Sequence, residues 1–260
     1  MQIKQASNNQ LKLWKKLQRT KYRKKEELFL AEGERCVEQI VTNGFVHIDS
    51  VIVEKGYQPG FEYDLPVFEV ASGDFKNLSD TDTPQGVLAV CEIPKDSDVG
   101  QMSAHAGLLV ALDAVQDPGN VGTIIRTASW FGAAGILFGD GTADPFHPKV
   151  VRSTAGATGA LSYRKGDLNG LLDQFEKAGW KSYLMDGGDR SVDIKKVAAA
   201  EKSILVIGNE GNGISGNLFS SQRISVRIPG QSESVESLNA AIAMGIGMFH
   251  MAGNTNDRVD

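Results

Sequence analysis

The sequence predicts an α/β protein in which a smaller N-terminal α/β part precedes a larger C-terminal part with a mostly parallel sheet. Two observations lead to this prediction. Beyond residue 105, short apolar segments alternate with helical patterns, which is typical of βαβ units with helices on both faces of the sheet. Residues 93–104 are polar and lack apolar periodicity, which indicates a linker. The predicted domains are therefore 1–92 and 105–260.

The N-terminal part is predicted to hold two helices and three strands. One basic amphipathic helix is expected to begin after Ser7, where apolar residues recur at roughly helical spacing: Leu11, Trp14, Leu17 and Leu28. A second helix, with Val37 and Ile40 on its apolar face, is expected to end at Asn43-Gly44. The expected strands are 51–53, 67–70 and 86–90.

The C-terminal part is predicted to contain five strands and a buried final helix. The strands are expected near 107–114, 135–138, 181–185, 203–207 and 224–228. Apolar residues from Leu238 to Phe249 follow a helical stripe, and the small residues among them would permit close packing.

Composition excludes several classes of protein. Cys36 and Cys91 form no C-x-x-C pair, and no Cys/His cluster is present, so neither a disulfide framework nor a metal site is indicated. The longest nearly apolar stretch, 238–252, is interrupted by polar residues and glycines and is too short to span a bilayer. A reducing cytoplasm and no membrane partner are expected.

The net charge of −5 conceals a basic N-terminus, because no Asp or Glu occurs before residue 26. Such a segment can neutralise RNA phosphates, although a solvated helix face explains it equally well. The candidate RNA-binding residues are Lys12, Lys15, Lys16, Arg19, Lys21, Arg23, Lys24 and Lys25.

Polar turns follow three of the predicted strands. The first leads into a helix with Asn120 and Arg126, and the second is glycine-rich and contains Glu210. The third comprises Ile228-Pro229 and, further along, Ser237-Leu238-Asn239. Because open α/β sheets bind ligands at the carboxyl ends of their strands, the three turns are expected to form one site.

Each of these residues also has a plainer interpretation. Asn120 or Ser237 could cap a helix, and Arg126 could be an ordinary surface arginine. Residues 211–216 match G-x-G-x-x-G, which would suggest a nucleotide-dependent oxidoreductase. Only residues 217–223 separate these glycines from the next strand, too few for the crossover helix that such a fold requires.

Taken together, the three motifs resemble those of the SpoU/TrmH family, which are RNA ribose 2′-O-methyltransferases of the SPOUT superfamily. The likeness covers about 105–255. The N-terminal part is similar, more loosely, to the ribosomal-protein-L30-like substrate-binding domain, including its Thr83-Pro84-Gln85-Gly86 turn. The resemblance implies S-adenosylmethionine as cofactor, a deep trefoil knot and a homodimer formed through the C-terminal domain. It also implies a structured RNA substrate, for which 23S ribosomal RNA is preferred.

The resemblance assigns roles to matching positions. The expected catalytic residues are Asn120, Arg126, Glu210, Ser237 and Asn239. The expected cofactor-binding residues are Gly208, Asn209, Gly213, Ile228, Pro229, Ser237 and Leu238. Arg126 would activate the 2′-hydroxyl, and electrostatic activation is favoured over a general base because the guanidinium holds its proton to a pH above about 12.

Two other functions are considered beside this one. A transfer RNA 2′-O-methyltransferase would carry the same motifs. A non-catalytic RNA-binding protein of ribosome assembly could keep the fold, but it would not need all five of the expected catalytic residues.

Overall fold

The computed structural model describes residues 3–58, 60, 64–188, 190–231 and 237–253. Its strands are β1 (Ile3–Gln5), β2 (Leu28–Glu32), β3 (Ile48–Glu54), β4 (Val67–Val70), β5 (Val87–Glu92), β6 (Gly107–Leu112), β7 (Gly135–Gly139), β8 (Tyr163–Gly166), β9 (Lys181–Met185), β10 (Val192–Asp193), β11 (Lys202–Ile207) and β12 (Ile224–Arg227). Its α-helices are α1 (Asn8–Lys16), α2 (Thr20–Glu26), α3 (Glu34–Asn43), α4 (Ser72–Leu78), α5 (Val99–Ala104), α6 (Pro118–Trp130), α7 (Pro148–Ser153), α8 (Leu168–Lys177) and α9 (Ala240–Gly253).

The chain divides into two compact units. The first consists of 1–95 and 144–160, and the second of 96–143 and 161–260. The segment 144–160 therefore belongs by its contacts to the N-terminal unit, although it follows β7 of the second unit in the sequence. Within the predicted linker 93–104, the structure has the helix α5.

The first unit contains a five-stranded mixed sheet with the order β1-β4-β3-β5-β2. Strand β5 runs antiparallel to both of its neighbours, β2 and β3. One face of the sheet is covered by a core that includes Trp14, Leu17, Ile52 and Phe75. The predicted helix ending at Gly44 is confirmed as α3, which has Gly44 in the left-handed conformation as its C-cap.

The helix predicted to begin after Ser7 is confirmed as α1, which has Ser7 as its N-cap. A separate short helix, α2, follows it, and Leu28 lies in β2 rather than on the helical stripe. Helix α1 ends at its C-cap Leu17. The Arg23 Nη1 atom then donates to the backbone carbonyls of Leu17 and Gln18 at 2.9 and 3.0 Å. These carbonyls at the helix end, which have lost their helical partners, are thus satisfied by a side chain from α2.

The segment 144–160 is fastened into the first unit by buried charges. Asp144 accepts two hydrogen bonds from Arg23, from Nε at 3.0 Å and from Nη2 at 2.6 Å. Arg152 on α7 donates to Glu32 at 3.2 Å and to Asp80 at 2.9 Å. Because Arg23 and Glu32 are almost fully buried, release of the segment would leave charges in the interior without their partners, which is costly.

The second unit is built on a seven-stranded sheet with the order β10-β12-β9-β11-β6-β7-β8. All its strand pairs are parallel, so the predicted parallel sheet is confirmed. Strand β6 lies directly beside β11, with Leu112 opposite Ile207 at their carboxyl ends. The turns that follow these two strands therefore begin side by side. The knot expected for this unit stays a prediction.

Helix α9 packs closely against this sheet. A Cβ atom at Gly247 would lie 2.6 Å from Leu205 Cδ2 and 3.1 Å from Met185 Cε, so a larger residue would require these side chains to shift. Across the described ranges, no helix is long and apolar enough to span a bilayer.

Candidate active site

The first wall of the site is the turn between β6 and α6. Asp117 is the N-cap of α6, and its side chain accepts from the Asn120 backbone N–H at 2.8 Å. Pro118 occupies the first turn, where its missing N–H is tolerated. Because Asp117 performs the capping, Asn120 is not the helix cap and its nearly buried side chain is available for other contacts.

The second wall is the glycine loop 208–215 after β11. A Cβ atom at Gly208 would lie 2.2 Å from the Gly213 carbonyl carbon, so the two backbones pass too closely for any other residue. Gly213 has a φ of +69°, a conformation that favours glycine. Asn209 closes the loop through its side-chain oxygen, which accepts from the backbone N–H groups of Gly211 and Asn212.

Glu210 connects the two walls. Its Oε1 accepts from Asn120 Nδ2 at 3.0 Å and from the Asp117 N–H at 3.2 Å, and its Oε2 accepts from the Gln116 N–H at 3.2 Å. Partial burial alone would raise the pKa of Glu210, but the hydrogen bonds from Asn120 and the backbone outweigh it and hold the pKa below its ordinary value. Glu210 is therefore a carboxylate at neutral pH.

Asn239 adds the third motif to this network. Its Nδ2 donates to Asn120 Oδ1 at 2.9 Å, while its own Oδ1 accepts from the backbone N–H groups of Ala241 and Ile242 at the start of α9. A continuous chain of hydrogen bonds thus runs from Asn239 through Asn120 to Glu210. The structure brings together one predicted catalytic residue from each of the three motifs.

The other predicted residues lie outside this chain. Arg126 is exposed on α6, six residues after Asn120, and has no hydrogen bond or ion pair with any residue that the structure describes. Ser237 is also exposed. The Arg126 side chain is thus open to solvent at the surface of α6.

Several predicted cofactor-binding residues present surface that the protein itself leaves open. Leu238 is 48 % exposed, Pro229 is exposed and Ile228 is half-buried. At Gly230 an added Cβ atom would meet nothing within 4 Å, and its φ is not in the left-handed region, so neither crowding nor backbone conformation explains the glycine. Open apolar side chains beside accessible backbone fit an adenosine-containing cofactor such as S-adenosylmethionine.

Sequence reasoning missed Asp113, the residue that follows β6. Its carboxylate is buried and accepts from both the backbone N–H and the hydroxyl of Ser215, at 2.6 and 3.1 Å. A charged residue directly after an apolar strand was the available signal, because a carboxylate at such a position is rarely buried without a purpose.

Most of the basic N-terminal residues lie on the surface. Lys12, Lys15, Lys16, Arg19, Lys21, Lys24 and Lys25 are exposed on or beside α1 and α2. Arg23 is the exception, and its assignment to RNA binding is wrong. Its side chain is fully buried and its donors are taken by Asp144, Thr20 and two backbone carbonyls, so no phosphate can reach it.

Two family models match successive parts of the chain. Residues 107–249 match the SpoU rRNA methylase family. The chain belongs to this family. Residues 8–89, which precede the SpoU domain, match the MRM3-like substrate binding domain.

Individual relatives are similar over nearly their full length. The 23S rRNA (guanosine(2553)-2′-O)-methyltransferase RlmP of Bacillus subtilis is 32% identical over 97% of this chain and 99% of its own. An uncharacterized tRNA/rRNA methyltransferase of Synechocystis is 31% identical over 95% of this chain and 92% of its own. The AdoMet-bound rRNA methyltransferase of Sinorhizobium meliloti is 28% identical, covers both chains fully and superimposes with a TM-score of 0.83.

Proposed function

We propose that the protein transfers a methyl group from S-adenosylmethionine to a ribose 2′-hydroxyl of 23S ribosomal RNA. The observation that carries this proposal is the hydrogen-bond chain Asn239–Asn120–Glu210, which joins the three SpoU motifs at one edge of the parallel sheet. The family match and the rRNA-specific names of relatives that align over their full length support the substrate class.

Bound S-adenosylmethionine supplies an electrophilic methyl group on a sulfonium. Gly208 of the glycine loop offers its backbone to the cofactor. The backbone N–H groups of Asn209 and Gly213 donate to each other's carbonyls at 2.9 Å, so these two residues offer only the second acceptor position of each carbonyl oxygen. The exposed side chains of Pro229 and Leu238 and the half-buried side chain of Ile228 pack against the cofactor. The C-terminal segment completes this pocket by the knotted crossing that the family resemblance implies.

Arg126 binds the RNA phosphate next to the target ribose and stabilises the negative charge that develops on the 2′-oxygen as its proton leaves. The exposed Arg126 guanidinium suits this role. Glu210, held by Asn120, is a fixed carboxylate that orients the ribose or the guanidinium, and Ser237 contacts the substrate beside it. Holding the two reactants in line supplies much of the acceleration.

The RNA is bound through the N-terminal unit. Seven exposed basic residues on or beside α1 and α2, namely Lys12, Lys15, Lys16, Arg19, Lys21, Lys24 and Lys25, contact phosphates there. This unit matches a substrate-binding domain, which supports the assignment. Binding through these residues should weaken steeply with salt.

The protein acts as a homodimer in the cytoplasm. Helix α9 exposes Ile242, Ile246 and Phe249 at helical spacing, and Phe249 is 70 % exposed. Trp130 at the end of α6 is 85 % exposed. Exposed apolar residues of this size on two packed helices are typical of an interface. We expect Phe249→Glu to convert a dimer into a monomer in light scattering, whereas Phe219→Glu, at an exposed phenylalanine outside α9, should leave the dimer intact.

The reaction is tested with methyl-labelled S-adenosylmethionine and RNA from a host that lacks the gene. Label should enter 23S ribosomal RNA and be lost with Arg126→Ala. Arg126→Lys should retain part of the activity, because lysine keeps the charge but not the planar two-pronged donor. Label in transfer RNA would favour the second substrate class. Cofactor binding without transfer to any RNA would favour a non-catalytic RNA-binding protein.

A further inference from the structure

The turn after β6 holds the glycine loop at three points. Near the start of the loop, Asn209 Nδ2 donates to the Ala114 carbonyl at 2.9 Å, and Glu210 then accepts from the backbone of Gln116 and Asp117. At the end of the loop, Ser215 donates to Asp113. The first two contacts involve residues to which the proposed function already gives a role, and the third does not.

Asp113 is itself rigidly placed. Its backbone N–H donates to the Ile207 carbonyl at 2.9 Å, which extends the pairing of β6 and β11 by one residue. Its side chain is only 6 % exposed, and both carboxylate oxygens accept from Ser215. Hydrogen bonds to a buried carboxylate are stronger than those between neutral groups, so this contact is a firm anchor.

The Ser215 side chain makes this contact and does not cap the helix that follows it. It is the N-cap of the short 3-10 helix Gly216–Leu218, yet its side chain makes no capping hydrogen bond. The hydroxyl donates to Asp113 instead. Next to it, Ile214 is buried in the core, so the loop returns to the protein body at a defined place.

We propose that Asp113 is a positioning residue for the cofactor. Through Ser215 it fixes the returning end of the glycine loop, so that the backbone of 208–213 has its binding conformation before S-adenosylmethionine arrives. This inference rests on the proposed cofactor role of Gly208 and Gly213. An ordered loop loses less conformational entropy on binding, and affinity rises accordingly.

The test is calorimetric titration of the full-length protein with S-adenosylhomocysteine, together with steady-state kinetics on the RNA. Asp113→Ala should raise the Kd of S-adenosylhomocysteine and the KM of S-adenosylmethionine on the order of tenfold, while kcat and the KM for RNA change less. Asp113→Asn should stay within about threefold of the parent, because its oxygen can accept the Ser215 N–H and its amide can donate to the hydroxyl.

Two matched controls separate positioning from general destabilisation. Asp167→Ala removes the N-cap of α8, and Ser203→Ala removes a buried serine hydroxyl at the opposite end of β11. Both should lower the thermal midpoint without changing the Kd. Should Asp113→Ala fail to fold, Ser215→Ala replaces it, with an expected increase in Kd of about threefold.

An unchanged Kd in folded Asp113→Ala or Ser215→Ala would overturn the proposal. A loss of cofactor affinity in Asp113→Asn as large as that in Asp113→Ala would also overturn it. The negative charge of Asp113, rather than its hydrogen bonds with Ser215, would then determine the affinity. Failure of the proposed function gives a different result, because the parent protein would then bind S-adenosylhomocysteine and transfer no methyl group to RNA.

Discussion

Asn120 Nδ2 donates to Glu210 Oε1 at 3.0 Å, which links α6 to the glycine loop although the two residues lie 90 positions apart in the chain. Asn120 accepts in turn from Asn239. The asparagine thus uses both ends of its amide, and its orientation is fixed by a donor on one side and a carboxylate on the other.

Asn120→Asp should abolish most of the methyl transfer at neutral pH. The change places a second carboxylate beside Glu210, and two carboxylates in contact repel each other unless they share a proton. Steady-state kinetics across pH should therefore show partial recovery as the pH falls. Asn77→Asp, at an exposed asparagine on α4, should leave the activity unchanged, and an equal loss in that variant would contradict the explanation.

Asn239→Ala should lower both stability and activity. The variant loses the two hydrogen bonds that Asn239 makes to the start of α9, which should cost about 1 kcal/mol of unfolding free energy. It also loses the contact that orients Asn120. Asp167→Ala loses a comparable cap on α8 and should be destabilised to the same degree with nearly normal methyl transfer. Denaturant unfolding measures the loss of stability in both variants. Initial rates measure the loss of methyl transfer.

Arg23 and Lys24 are neighbours with opposite expected behaviour. Arg23→Ala leaves the Asp144 carboxylate without its buried guanidinium and should lower the unfolding free energy by about 3 to 5 kcal/mol. Lys24→Ala should change stability by less than about 0.5 kcal/mol but weaken RNA binding and reduce its salt dependence. Equilibrium unfolding and filter binding at two salt concentrations test the pair. A stable Arg23→Ala variant with weakened RNA binding would contradict the prediction, because Arg23 would then bind RNA and would not be needed for stability.

The depressed pKa of Glu210 predicts a definite pH dependence of stability. Because the folded protein favours the ionised carboxylate, the stabilisation is complete above the ordinary pKa of 4.5 and is lost as the pH falls through the lower, folded-state value. The difference in thermal midpoint between the parent and Glu210→Gln should be constant near neutrality and shrink below that pH. A difference that grows on acidification would show that the pKa of Glu210 is raised instead.

The parallel sheet and the meeting of the three motifs could be predicted because both follow from local patterns. Alternating apolar segments gave the strands, and the rule that parallel strands bring their carboxyl ends together placed Asn120, Glu210 and Asn239 near one another. Periodicity could not predict β2, since Leu28–Glu32 follows a helix without a turn signal and is short enough to extend a helical pattern.

The failures at Arg23 and Asp113 have a common physical cause. Arg23 is buried by an ion pair with Asp144, 121 positions away, and Asp113 by hydrogen bonds from Ser215, 102 positions away. A charged side chain in the sequence is expected at the surface unless its partner is known. Such pairings depend on the folded chain, so even the signal that Asp113 offers, a charged residue directly after an apolar strand, does not reveal the partner.

The central claim is tested most directly by locating the methyl group. Total RNA from a host lacking the gene would be treated with the protein and S-adenosylmethionine, and the 23S ribosomal RNA digested and analysed by mass spectrometry. We expect one 2′-O-methylated nucleotide at one position, absent with Arg126→Ala. The guanosine equivalent to that named for the Bacillus subtilis relative is the first to inspect. Methylation of a base, or of transfer RNA alone, would contradict it.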